Sequence, residues 1–199
     1  MIVVFSLMRR RDDVPLAEFR RHWLDPHGPL VCRFARLRRY SQNHVIAPEV
    51  SAMPVDGFAE LAYDNDADQE AATGSAAMAA CDRDSPLFIG SVLRVVTEDR
   101  VIIPIPGPHA AKRIMVFTGD DVGAALARLR ARVAGTEGVV GFVENIALRQ
   151  RGPRSEVKVL NVTVGAVVEL WFGDGMIRGR AALDVAGGFG YDVIDHRLI

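Results

Sequence analysis

Twice along this chain a strand-forming run leads into a helix-forming stretch, two more strand-forming runs, a second helix-forming stretch and a last strand. Nothing else in the sequence limits the fold as strongly. In the first copy the strands are Ile2–Leu7, Arg39–Ile46, Gly57–Tyr63 and Ser91–Thr97, all short and rich in apolar β-formers or alternating in polarity. A helix opens at Val14-Pro15, with Asp13 placed to cap it, and the alanine-rich stretch Asp66–Ala80 predicts another, capped by Asp66 or Asp68. Cys81 to Gly90 is expected to be a loop plugged by Phe88. In the second copy the strands are Arg113–Phe117, Gly138–Arg149, Val167–Phe172 and Tyr191–Leu198, with helices at Val122–Val133 and, more weakly, Gly175–Val185.

The order β-α-β-β-α-β is the ferredoxin-like split pattern, an antiparallel sheet with two helices on one face. Phe5 aligns with Phe117 at an offset of 112, and Glu60 aligns with Glu169 at an offset of 109. These near-equal offsets predict an internal duplication, too long to be a solenoid repeat. One such sheet alone would leave an apolar face in water, and two copies can bury those faces against each other. The predicted fold is therefore α+β: tandem ferredoxin-like repeats packed as an α+β barrel. The halves are expected at residues 1–100 and 113–199. Residues 101–112, with three prolines and a glycine, would link them. Remaining strand edges leave room for a homodimer.

The stretch from Glu18 to Val45 is the richest in chemistry, with three of the five histidines and one of the two tryptophans. Phe19, Trp23, Leu30, Phe34 and Leu37 fall on one helical face. Asp25-Pro26-His27-Gly28-Pro29 cannot continue a regular helix, because each proline removes a donor and disfavours helix in the residue before it. A break at His27 is expected, with a second helical piece from Pro29 to about Arg36. In the strand that follows, alternation puts Tyr40, Gln42 and His44 on one face and Ser41, Asn43 and Val45 on the other.

A formal net charge of -1 argues against a nucleic-acid binder, although nine arginines crowd the first forty positions. No apolar run is long enough to span a membrane. The N-terminal positive charges follow the apolar run, opposite to a secretory signal, so the cytoplasm is the expected location. Cys32 and Cys81 have no CxxC spacing and are expected to be reduced thiols. His22 and His27 are five apart, which does not place two ligands on one helical face, and His109 and His196 fall in the linker and the tail. No metal site is expected.

Several short motifs occur in order here: Ala17-Glu18-Phe19-Arg20-Arg21, Trp23, His27-Gly28-Pro29-Leu30-Val31, Leu37-Arg38-Arg39-Tyr40, Gln42-Asn43-His44-Val45 and Asp56-Gly57-Phe58-Ala59-Glu60-Leu61. Together they resemble the EthD family, named for ethyl tert-butyl ether degradation and part of the dimeric α+β barrel superfamily. The resemblance covers about residues 1–100. It implies a small-molecule ligand and chemistry without metal or organic cofactor, as in methylmuconolactone isomerase-like proteins and some polyketide-tailoring dehydratases and cyclases. The second half has no His-Gly-Pro-Leu motif, so a His27-type site should exist once per chain.

The candidate catalytic residues are His27 as base, with Tyr40 and His44 as acid or orienting groups. Trp23, Gln42, Glu60 and Arg39 are candidate substrate-binding residues, Arg39 to attract an anion. His27 reads equally as a core histidine, and for Glu60 the matching Glu169 in the other half favours a structural role over a functional one. The leading expectation is a cofactor-free isomerase, dehydratase or cyclase acting on a small aromatic or lactone-like catabolite. A non-catalytic binding or accessory protein and a cofactor-free or haem-linked monooxygenase are the alternatives.

Overall fold

A computed structural model describes residues 1–48, 53–107, 111–173 and 183–199. Eight antiparallel strands form a closed barrel: β1 Ile2–Arg10, β2 Arg39–Val45, β3 Gly57–Tyr63, β4 Ile89–Ile103, β5 Ala111–Thr118, β6 Val139–Arg151, β8 Val164–Phe172 and β9 Gly188–Arg197. The two-residue strand β7, Lys158–Val159, lies parallel against β4 beyond the end of β6. Around the barrel the order is β1-β3-β2-β9-β5-β8-β6-β4, and pairing of β1 with β4 closes it. Closure removes the long unpaired edges an open sheet would present. Strand β4 runs on to Ile103, through the start of the proline-rich segment, and this extension holds β6 across Val101 and Ile103.

Period-two alternation sorts each strand into an inner and an outer face. Val3, Phe5, Leu7, Phe58, Ala62, Leu93, Val95, Ile114, Val116 and Val167 fill the barrel interior. The outward residues make two further cores. Val4, Met8, Leu61, Tyr63, Val92 and Val96 pack under the helices of the first half. Met115, Phe117, Val168, Leu170 and Phe172 pack under α5, Val122–Ala134. Each fully buried Leu, Val or Phe contributes about 1.5–3 kcal/mol relative to exposure.

The helices over the first half are α1 Leu16–His22, α2 Gly28–Val31, α3 Asp66–Thr73 and α4 Ala76–Asp84. Several sequence expectations change here. The chain does not break at His27. It widens into a π-helical turn, Trp23–His27, with Pro26 inside it, and passes directly into α2. The wider turn absorbs the donor that proline lacks. The second piece ends at Val31, short of Arg36. Asp13 does not cap α1, because its carboxylate is held by Arg11. Asn65, not Asp66 or Asp68, caps α3 by accepting from the Asp68 N–H. The alanine-rich stretch is two helices, divided at Gly74 and Ser75, where Ser75 caps α4. Helix α4 continues through Asp84, into the expected loop, until Ser85-Pro86 turns the chain. The expected helix at Gly175–Val185 lies largely outside the described residues, as does His109. Among the described residues no helix is long and apolar enough to cross a membrane.

Candidate functional site

A cavity of about 400 Å³ lies between the outer face of β1, β3 and β4 and the helices of the first half. Its walls are mostly apolar, among them Val4, Met8, Leu61, Val92 and Phe34. That size and lining suit a small organic ligand. Trp23, His27 and Tyr40 all line it.

The π-turn is what aims His27 at this space. His27 is 7% exposed, and its Nδ1 lies 2.8 Å from Asp84 Oδ2 at the end of α4. His22 Nε2 reaches the same carboxylate at 3.1 Å. Burial pushes the Asp84 carboxyl up, but its hydrogen bonds to His27 and His22 outweigh that and hold it below the usual carboxylate range. An ionised Asp84 accepts from Nδ1–H. That fixes the tautomer and leaves the lone pair of Nε2 available to take a proton. Phe88, buried as expected, stacks on His22 at 4.6 Å and meets the His27 ring edge-on at 5.1 Å.

Tyr40, Gln42 and His44 share the outward face of β2, as alternation predicts, and are joined in a line. Gln42 Nε2 donates to the Tyr40 hydroxyl at 2.8 Å and to the Trp23 carbonyl at 2.7 Å, while Gln42 Oε1 faces His44 Nε2 at 3.1 Å. Both amide hydrogens are thus spent, and the Tyr40 oxygen acts as an acceptor with its own O–H left to donate. Burial raises the Tyr40 pKa, so the group is a neutral donor and not a phenolate. Of this row only Tyr40 lines the cavity. His44 stacks on Trp23 at 4.5 Å and meets His196 edge-on. Burial first, then His196 and Arg20, push His44 down to about 3. His44 is therefore a neutral ring throughout the physiological range.

Glu60 and Arg39 stand apart from the cavity. Glu60 points into the barrel, where Arg39 donates to it at 2.7 and 2.9 Å and Lys112 Nζ at 2.8 Å. Lys112 Nζ also lies 2.7 Å from Glu169 Oε1, off the direction of a good hydrogen bond. Burial pushes Glu60 up, but Lys112 and Arg39 outweigh it and hold it below the usual range. Burial, then the neighbouring Glu60 charge, push Glu169 up to about 7.

Sequence reasoning did not find Asp84, Cys81, Ser85, Gln69, Arg94, Arg151, Arg154 or Ser155 at this site, and no short-range signal marks them. Cys81 lines the cavity, but burial, then Asp82 and Asp84, push its thiol up to about 12, so it is a wall and not a nucleophile. Among the described residues no three His, Cys, Asp or Glu side chains are grouped to hold a metal ion.

The EthD domain model matches residues 11–91. No curated protein matches the chain. Among solved structures, the chain is similar in fold to an anthrone oxidase-like protein, with 14% identity, a TM-score of 0.65 and coverage of 98% of this chain and 92% of the other. It is also similar to a protein from Lactobacillus acidophilus NCFM provisionally named a monooxygenase (9% identity, TM-score 0.55, coverage 98% and 93%). A variant of chlorite dismutase from Candidatus Nitrospira defluvii is a third neighbour (9% identity, TM-score 0.51, coverage 96% and 90%). At these identities the likeness is one of fold, the α+β barrel.

Proposed function

We propose that this chain, whose residues 11–91 match the EthD domain, is a cofactor-free enzyme of proton-transfer chemistry on a small aromatic or lactone-like compound. The observation that carries this is the His27–Asp84 pair at the wall of an apolar cavity. His27 Nε2 takes a proton from the substrate, the ionised Asp84 steadies the resulting imidazolium, and the Tyr40 O–H donates to the oxygen on which charge builds. Gln42 and His44 orient Tyr40 from behind, and Trp23 forms one wall. Isomerisation, dehydration and cyclisation all use such a base and donor.

A duplication followed by divergence would account for a His27-type site in the first half. In the first half the strand order is β4-β1-β3-β2, and in the second β9-β5-β8-β6 is its counterpart. Glu60 lies opposite Ser41, two residues before Asn43, and Glu169 lies opposite Val143, two residues before Asn145. We read these as two ferredoxin-like units from one ancestor. The second unit has no histidine between Gly119 and Glu137 to match His27.

The test is hydrogen–deuterium exchange of a panel of enolisable lactones and phenolic ketones in heavy water, followed by proton NMR. Wild-type protein is expected to exchange at least one member, with His27→Ala slower by about 10² or more. Full exchange by His27→Ala would remove His27 as the base. A second reading, a monooxygenase acting in the same cavity, is favoured by the names of the anthrone oxidase-like and Lactobacillus neighbours. Oxygen uptake with a hydroxyaromatic substrate would support it, and a Soret band in the purified protein would make it haem-linked.

A further inference from the structure

We infer that the cavity binds its ligand by an anionic group, a carboxylate on an otherwise apolar body, held by Arg94, Arg151, Arg154 and Ser155. This rests on the reading of the cavity as a ligand site and names the substrate class for it. Among the described residues, every Asp, Glu, Lys or Arg that lines the cavity is an arginine: Arg94, Arg151 and Arg154. Arg94 and Arg151 are direct cross-strand partners on β4 and β6. Like charges placed opposite each other in a sheet repel, and an anion between them relieves that.

Their protein partners leave them free to serve. Arg94 reaches Asp82 at 3.5 Å and Arg151 reaches Glu70 at 3.6 Å, long beside the 2.6 Å pair of Arg130 with Glu144. Arg154 donates to a neutral group, the Thr73 carbonyl, at 2.7 Å. Ser155 supplies an independent sign. Its Oγ is buried with no hydrogen-bond partner among the described residues, and Ser155 lines the same cavity. A buried hydroxyl normally finds a partner, and a carboxylate oxygen would accept from it while guanidinium groups bind the other oxygen. Three of the four residues come from the second half, at the last residue of β6 and just beyond it. The diverged half thus closes the first half's cavity and sets what it selects.

The experiment compares 2-naphthoate with 2-naphthalenemethanol, which share an apolar body and differ in charge. Binding is read by quenching of Trp23, which lines the cavity, in a Trp171→Phe background that leaves it the sole tryptophan. Naphthoate is expected to bind at least tenfold more tightly than the alcohol. An Arg151→Gln/Arg154→Gln variant should lose that preference and keep its affinity for the alcohol. Ser155→Ala, a milder change, should lose part of it. Equal binding of the two probes, or a preference that survives the double substitution, overturns the anion site and leaves the cavity as a neutral ligand site. Failure of both probes to bind at millimolar concentration overturns this inference and the cavity reading together.

Discussion

Asp84 changes what His27 is able to do. Without it the ring could present either nitrogen to the cavity, and with it Nδ1 is committed and Nε2 is the base. Asp84→Asn is therefore expected to remove the tautomer preference, visible in nitrogen NMR of His27, and to slow His27-dependent exchange by about 10² or more. An unchanged tautomer in that variant would disconnect Asp84 from the chemistry. The pair was not legible in the sequence, since His27 and Asp84 are 57 residues apart and meet only because α4 runs on to deliver the carboxylate. The Tyr40, Gln42 and His44 row was legible, because strand alternation is local. Its asymmetry was not, because Trp23 covers His44 and leaves Tyr40 open to the cavity.

At the scale of elements, the π-turn is the device that sets the site. It carries Trp23 and His27 on one widened turn, and the indole lies flat between His44 and β3. Gly57 is the residue that allows this, because a Cβ there would overlap the Trp23 ring. His44, stacked at 4.5 Å, backs the indole on its other face. Gly57→Ala is expected to destabilise the fold by about 1–3 kcal/mol, lowering the melting temperature by several degrees in a chain of this length. A melting temperature within one degree of wild type would mean the indole is held less firmly than its packing indicates. The prolines announced an irregularity at this point, but whether the chain breaks or widens depends on what the helix packs against.

The whole molecule is held about a barrel whose apolar interior carries an ionic cluster. Lys112 bridges Glu60 and Glu169, and all three are buried. Such clusters contribute little net stability, because taking the charges out of water costs about as much as their attraction returns. Glu169, raised from an ordinary 4.5 to about 7, holds its proton more tightly folded than unfolded. Its contribution to stability is full below pH 4.5 and is lost as pH rises through about 7. Melting temperature measured from pH 4.5 to 7 should accordingly fall more steeply in wild type than in Glu169→Gln. Parallel curves would mean that the proton is not held there.

Local patterning was enough for the barrel strands and for their inward and outward faces, because each follows from the spacing of residues along a few pleats. It also placed His27 and Tyr40 among the candidates. The tertiary structure alone decided that Arg39 serves Glu60 inside the barrel, that Asp84 serves His27, and that Arg151 to Ser155 reach the first half's cavity. These contacts depend on which strands become neighbours when β1 closes against β4, and that is decided by the packing of segments far apart in the sequence.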